Sequence, residues 1–325
     1  MRSRHVLPNF RIAIVGAGAI GLYYGGKLAN YGRDVNFLLR SGYEEVRKHG
    51  LRIRSKAENI HVAKVNAWRS SAEIGRCDLV LVAVKTISND ELPPLITPLL
   101  GEKTTILTLQ NGLGNEEFLA AHFGAESVLG GLCYISLNRT TPGLVERFDG
   151  GRLTIGEFTG YLRPRTHDIA WEFKRCGVVC SVTANLALER WRKLVWNIPF
   201  NGLTITAGGI DTAAILADDA LRQETLELMR ETIAIAQAYG HNLSTALPLE
   251  QIKRTKAMGA YKPSTLIDYE AGRPLEIEAI WGEPLRRGRS VGVDTPRLER
   301  LYQELLALDR AKSHDKLTPA GNPGL

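Results

Sequence analysis

The stretch Arg11-Ile12-Ala13-Ile14-Val15-Gly16-Ala17-Gly18-Ala19-Ile20-Gly21 constrains this chain more than any other. A short β-branched apolar run halts at a glycine, and the pattern G-x-G-x-x-G opens a segment, Leu22 to Tyr31, of helix-forming composition. The order is strand, tight turn, helix. Gly16 permits the turn, Gly18 lets a backbone come close to a pyrophosphate, and Gly21 lets the helix pack against the strand. Ala19 and Ile20 fill the first helical turn, where N–H groups without intrahelical partners and the helix dipole favour negative charge. The same spacing occurs in plain glycine-rich turns. Here a second strand, Asp34 to Leu39, follows at the distance of a βαβ unit, so the stretch reads as a dinucleotide site.

The residue after that second strand selects the cofactor. A carboxylate there holds the ribose 2′-hydroxyl of NAD, whereas a cation meets the 2′-phosphate of NADP. Arg40 stands at this point and can make paired, charge-assisted hydrogen bonds to a phosphate. NADPH/NADP+ is therefore the expected cofactor, although Glu44 and Glu45 leave room for NAD and a solvated surface arginine is the plain alternative.

A chain of 325 residues is long enough for two domains and a sizeable core. No apolar run approaches the roughly 18 residues of a membrane span, and Met1 to Phe10 is too short and polar for a secretory signal, so a cytoplasmic location is expected. Cys77, Cys133, Cys176 and Cys180 form no C-x-x-C pair and read as small buried apolar residues. The seven histidines include no H-x-x-x-H pair, so no metal is expected. A net charge of +6 is spread in small groups along the chain without a nucleic-acid-binding motif. Its expected effect is a mildly positive field for an anionic cofactor and substrate, with neither nucleic acid nor membrane as partner.

In chain order, Tyr43 to His49 suggests a short helix and Leu51 to Val65 small strands. Asp78 to Val84 is a near-continuous apolar run, as expected of a central parallel strand covered on both faces. It ends at Lys85, which is placed at the cofactor cleft because ligands of open α/β sheets bind beyond the carboxyl ends of the strands; a loop lysine in water is the alternative. A helix over Asn89 to Leu100 precedes the strand Thr104 to Leu109, which stops at Gln110-Asn111-Gly112. Asn-Gly is ordinarily a turn, yet at a strand's carboxyl end Asn111 is placed to reach nicotinamide or substrate. Further strands are expected at Val128–Leu129 and Cys133–Leu137, then Leu144 to Phe148 and Arg152 to Gly156 as a hairpin closing on Gly150-Gly151, then a helix from Asp168 to Cys176 and a strand from Val178 to Val182. The fold class is α/β: a Rossmann-type doubly wound sheet with an antiparallel extension over residues 1–184.

From about Ala184 helical periodicity takes over, with helices expected over Leu186–Thr206, Asp211–Tyr239, Leu249–Ala260, Leu275–Arg289 and Thr295–Asp309, the last opened by Thr295 as N-cap and Pro296. Residues 185–311 thus form an all-α C-terminal domain, and residues 312–325 a loose tail. The apolar stripes of the helical half are compatible with a homodimer.

Within that half, Lys193, Asn197 and Asn201 recur every fourth residue and so stack along one side of a helix over roughly 12 Å. Trp191, Leu194, Val195, Trp196, Ile198 and Phe200 surround them in sequence, and polar groups flanked so closely are either buried and paired or line a pocket. Pro199 is expected to bend the helix. A solvated helix face is the alternative. Further on, Ser264 after Pro263 resembles an N-cap, or else a hydroxyl placed to hold a carboxylate; Glu276 opens a helix whose Ile277 and Ile280 point inward, and a dipole-favoured acid is its plain role.

The glycine motif with Arg40, Leu109-Gln110-Asn111-Gly112, the run Trp191-Arg192-Lys193-Leu194 with Asn197 and Asn201, and Ser264 followed by Glu276 together resemble the ketopantoate reductase family, the NADPH-dependent 2-dehydropantoate 2-reductases of pantothenate biosynthesis. The resemblance extends from Arg11 to about Leu306. It implies that Lys193 is the general acid that protonates the ketone oxygen, that Glu276 binds and orients substrate and lysine, and that Asn197, Asn201 and Ser264 hold the 2-keto acid. It also implies that Asn111 and Lys85 line the cofactor and substrate cleft and that Arg40 contacts the 2′-phosphate. Tyr261 stands where many members carry asparagine, three residues before the serine, and that departure bears on which 2-keto acid is reduced. Two other functions remain open: reduction of a different 2-keto acid, and a non-catalytic NADP(H)-binding sensor, against which the retention of both Lys193 and Glu276 argues.

Overall fold

A computed structural model describes residues 10–317. The chain divides into two compact units between Glu189 and Arg190, a few residues beyond the expected boundary at Ala184.

The first unit holds one mixed sheet. Its strands are β1 (Arg11–Val15), β2 (Asp34–Leu38), β3 (Leu51–Ser55), β4 (Asn59–Val62), β5 (Asn66–Trp68), β6 (Leu79–Val82), β7 (Thr105–Thr108), β8 (Val128–Thr141), β9 (Leu144–Glu157) and β10 (Val179–Val182). They lie in the order β4-β3-β9-β8-β7-β6-β1-β2-β5, with β10 also paired to β9. From β5 to β8 every pairing is parallel, the doubly wound block expected from alternating strands and helices. Beyond β8 the sheet turns mixed: β9 runs antiparallel to β8, and β3 adds to β9 in parallel.

The apolar runs of β1 and β6 follow from burial on both faces. Ile12, Ile14, Leu79 and Leu81 enter one core with Phe37, Leu107 and Phe173, while Ala13, Val15, Val80 and Val82 enter a second with Leu92, Ile96 and Ile106. Alternate residues of a strand point to opposite faces, so both sets must be apolar. The helix Ala19–Asn30 touches β1, β2, β3, β4, β8 and β9, so the sheet curves about it.

Two local expectations in this unit are corrected. The segment 89–100 is a 3₁₀ turn Thr86–Glu91, a helical turn Leu92–Ile96 and a second 3₁₀ turn Thr97–Leu99, because Pro93, Pro94 and Pro98 remove the amides a continuous helix needs. Gly150-Gly151 does not close a hairpin. β8 and β9 are continuous strands, and the two glycines form a bulge in which Tyr134 pairs with Arg152 and Ile135 with Gly150. Both have positive φ, 71° and 129°, and a Cβ on Gly150 would collide with the Tyr134 carbonyl, so the bulge demands glycine. The chain reverses instead at Pro142 and Gly143.

The second unit is helical. Its helices are Leu186–Thr206, which begins before the division, Thr212–Ala217, Asp219–Ala238, Leu247–Met258, Ser264–Glu270, Glu283–Ser290 and Pro296–Leu317. The single helix expected over 211–239 is two, since Asp218 is extended (ψ 123°) and its carboxylate caps the second by accepting from the Leu221 amide at 2.9 Å. The last helix starts at Pro296, as the Thr295-Pro296 signal predicts, but continues to Leu317 because residues 297–317 contain neither glycine nor proline. Residues 312–317 of the expected tail are therefore helical, and Lys312 Nζ donates to the Tyr269 carbonyl at 2.6 Å while lying 3.2 Å from that ring's centre. The rest of that tail, 318–325, lies outside the described residues.

Candidate active site

In the first unit the candidate residues gather at the carboxyl ends of β1, β2, β6 and β7. Gly16 has φ 104°, and a Cβ there would run into the backbone of Ala83 and Val84, so the turn lies directly against the end of β6. A Cβ on Gly21 would overlap the Gly16 carbonyl, which is the close helix-to-strand packing the third glycine provides. Gly18 is different: nothing lies within 4 Å of the position its Cβ would take. It is the N-cap residue of Ala19–Asn30, offers no side-chain cap, and is followed by no acid in the first turn. Leu22 N–H makes the bond to the Gly18 carbonyl at 3.0 Å, leaving the amides of Ala19, Ile20 and Gly21 without intrahelical partners. An open, uncapped helix start fits a dinucleotide pyrophosphate.

Arg40 follows β2 with 85% of its side chain exposed, and its Nη1 lies 3.3 Å from Glu91 Oε2. Glu44, one of the acids that left room for NAD, is engaged by Arg69 at 2.6 Å. Lys85 is half-buried just beyond β6, where its carbonyl accepts from the Ser88 amide. Asn111 follows β7, and its carbonyl accepts from Asn115 Nδ2 at 2.8 Å.

Around Asn111 lies a polar network that the sequence reading missed. Thr108 Oγ1 donates to Gln110 Oε1 (2.9 Å), Gln110 Nε2 to Asn89 Oδ1 (2.7 Å), and Asn89 Nδ2 to Asn115 Oδ1 (3.1 Å). Gln110 and Asn115 are buried, so these bonds lock the loop after β6 to the loop after β7. The available signal was a pair of amide side chains at a strand's carboxyl end amid apolar neighbours.

In the second unit, Lys193, Asn197 and Asn201 lie on one side of Leu186–Thr206, and the helix continues across Pro199. Lys193 is half-buried; Asn197 and Asn201 are 7% and 4% exposed, beside Trp191, Leu194, Ile198 and Phe200 in the core. A solvated face is thereby excluded for the two asparagines. Glu276 is half-buried and its carbonyl accepts from Ile280 N–H at 3.2 Å, with Ile277 and Ile280 buried as expected.

The continuous α-helix expected over 275–289 is replaced by a π-helical turn, Glu278–Gly282, followed by Glu283–Ser290. Pro284 has no amide to give Ile280, and Glu283 N–H bonds back five residues to Glu278. Such turns favour functional sites. From this turn Trp281, fully buried, donates its indole N–H to the Ile198 carbonyl at 3.0 Å and so ties the segment bearing Glu276 to the helix bearing Lys193.

Ser264 is not the N-cap. Pro263 takes that position, and Ser264 is the exposed first residue of its helix. Tyr261 is fixed by two backbone contacts with Thr212, its carbonyl accepting at 3.0 Å and its amide donating to Oγ1 at 3.3 Å, and its ring lies 6.1 Å from that of Trp196. Among the described residues no three His, Cys, Asp or Glu side chains gather as metal ligands, and no helix is long and apolar enough to cross a membrane.

Residues 12–160 match the family model described as ketopantoate reductase PanE/ApbA, and residues 185–309 match the one described as its C-terminal part. A 2-dehydropantoate 2-reductase of Nostoc sp. is 39% identical over 313 residues, covering 95% of this chain and 98% of that relative. The crystal structure of 2-dehydropantoate 2-reductase from Geobacter metallireducens GS-15 aligns with a TM-score of 0.89 at 46% identity, over 91% of this chain and 99% of that one. D-mandelate dehydrogenase, solved with NADH and anilino(oxo)acetate, aligns with a TM-score of 0.86 at 21% identity over 93% of this chain and 99% of its own, a likeness of fold alone.

Proposed function

The chain belongs to the ketopantoate reductase family, and from that premise we propose that it reduces 2-dehydropantoate to pantoate, the hydride coming from NADPH and the proton from Lys193. The observation that carries the reading is the polar stripe of one helix, with Asn197 and Asn201 held in apolar surroundings in line with a half-buried lysine.

NADPH, when bound, supplies the hydride to the keto carbon. Everything else falls to side chains of this protein. Hydride addition leaves an alkoxide, and the Lys193 ammonium both stabilises that developing charge and gives up its proton to the oxygen. Asn197 and Asn201 each offer an amide with two donors and an acceptor to the polar groups of the substrate, fixing its orientation. Glu276 holds the substrate hydroxyl and orients the lysine, and Ser264 meets the substrate carboxylate. Arg40 receives the 2′-phosphate, Gly18 with the amides of Ala19, Ile20 and Gly21 receives the pyrophosphate, and Lys85 and Asn111 border the nicotinamide. This places the enzyme in pantothenate biosynthesis. A cytoplasmic setting is part of the proposal and is supported by four buried cysteines that form no disulfide. So is a homodimer, for which exposed Leu249 and Met258 on one helix supply apolar surface; sedimentation velocity tests it.

One specific residue favours a second reading. Tyr261 brings an aromatic ring beside Trp196 where many relatives carry asparagine, and reduction of another 2-keto acid is the runner-up. NADPH oxidation against a panel of 2-keto acids decides. Turnover of 2-dehydropantoate in preference to the others supports the proposal. Turnover of a different member alone replaces it with the runner-up, and dinucleotide binding without any turnover rejects both.

A further inference from the structure

The glycine turn is met by a cation that no sequence pattern marks. Arg139 lies near the end of β8, in the part that extends past β7 and pairs only with β9. Because the sheet curves about the helix Ala19–Asn30, this end of the hairpin reaches the start of that helix. Arg139 Nη1 donates to the carbonyl of Ala17 at 3.2 Å, between the first two glycines of the motif.

That is an unfavourable place for a cation in isolation. The start of a helix carries partial positive charge, and the first turn of Ala19–Asn30 contains no acid to offset it. Among the described residues no carboxylate pairs with Arg139. The Ala17 carbonyl uses one of the five guanidinium N–H donors, which leaves others for a second acceptor. One residue along, the space beside Gly18 is open to at least 4 Å. A cation and a set of helix-start amides that face one opening repel each other until an anion sits between them.

We propose that Arg139 clamps the pyrophosphate of the dinucleotide from the hairpin side, opposite the amides of Ala19, Ile20 and Gly21. The inference rests on the reading that this protein binds NADPH and adds a residue to its binding site. Pyrophosphate is common to NADPH and NADH, whereas the 2′-phosphate met by Arg40 belongs to NADPH alone. The two arginines therefore make different contributions to selectivity: Arg139 supports both dinucleotides, and Arg40 discriminates between them.

The test is a fluorescence titration of the full-length wild type, R139Q, R139K and R40A with NADPH and with NADH, without substrate, alongside the thermal midpoint of each apo protein. R139Q is expected to weaken both dinucleotides by a similar factor, about tenfold or more, with R139K between it and the wild type and the apo midpoint unchanged. R40A is expected to weaken NADPH and spare NADH. Equal affinities in R139Q and wild type overturn the proposal, as does a loss confined to NADPH, which would move Arg139 to the 2′-phosphate. Failure of the wild type to bind either dinucleotide rejects the cofactor reading itself, and with it the clamp.

Discussion

The indole nitrogen of Trp281 lies 3.0 Å from the carbonyl oxygen of Ile198, in the buried interior of the helical unit. Ile198 is the neighbour of Asn197 on the helix that carries Lys193, and Trp281 belongs to the π-helical turn that follows Glu276. The hydrogen bond therefore fixes two catalytic candidates from distant parts of the sequence to a common frame. Neither residue is itself proposed to carry chemistry; both set the register of the two that are, Lys193 and Glu276.

Trp281→Phe keeps a large ring and removes the donor. The Ile198 carbonyl then loses a buried partner, at a cost of about 1–3 kcal/mol measured by denaturant unfolding. Because the bond aligns the Glu276 segment with the Lys193 helix, kcat is expected to fall more than KM rises. Unchanged stability and unchanged kcat would remove the bond from any positioning role.

Lys193→Ala is expected to lower kcat by roughly 10²–10⁴-fold, the usual contribution of a general acid, while NADPH affinity stays within a factor of about two. Lys193→Arg should restore little, since a guanidinium retains its charge but does not release a proton near neutral pH. Steady-state kinetics with a parallel binding titration reads both, and an alanine variant of full activity contradicts the mechanism.

Arg40→Ala separates selectivity from stability. Its pairing with Glu91 is exposed and 3.3 Å long, and such pairs contribute at most about 1 kcal/mol, so the unfolding midpoint should barely move. Losing charge-assisted bonds to the 2′-phosphate should reduce the preference for NADPH over NADH by roughly 10- to 100-fold. Specificity constants for the two cofactors measure it; an unchanged ratio would return Arg40 to the role of a solvated surface residue.

Burial pushes the thiols of Cys176 and Cys180 up to about 12 and that of Cys77 up to about 11, against 9.0 when unperturbed. Below pH 9.0 these thiols are neutral in both folded and unfolded chains and stability is insensitive to them. Above it the unfolded chain releases protons that the folded chain still binds, so stability falls from pH 9.0 towards pH 12. Thermal midpoints across that range should descend, less steeply in a C176A/C180A variant. A thiol-reactive dye should label the native protein only as fast as it unfolds; rapid stoichiometric labelling would contradict the burial.

What the sequence disclosed and what it hid divide along physical lines. β1 and β6 were legible because burial on both faces requires unbroken apolar runs, and the Lys193, Asn197, Asn201 stripe because helical period places those side chains in line. The Gly150-Gly151 bulge was misread as a hairpin turn: both need positive φ, and only the partner strand distinguishes them. The π-helical turn was hidden because proline at position 284 ordinarily announces a helix start, whereas here its missing amide widens the turn before it. The network joining Gln110, Asn115 and Asn89 escaped notice because an isolated amide looks like a solvated loop residue until the fold brings its partners together. The attachment of β3 to β9 left no local trace, since parallel pairing between distant segments has no periodic signature.

That attachment has a consequence for how the protein is made. Arg52 pairs with Leu144, so on the ribosome β3 and its hairpin partner β4 emerge well before the strand that will flank them, and the nascent sheet waits with an unprotected edge. Only when translation has delivered β9 does the nucleotide-binding unit become able to close. A pause in synthesis between these segments would prolong the interval in which that edge can recruit the wrong strand, and chaperone demand should be greatest there.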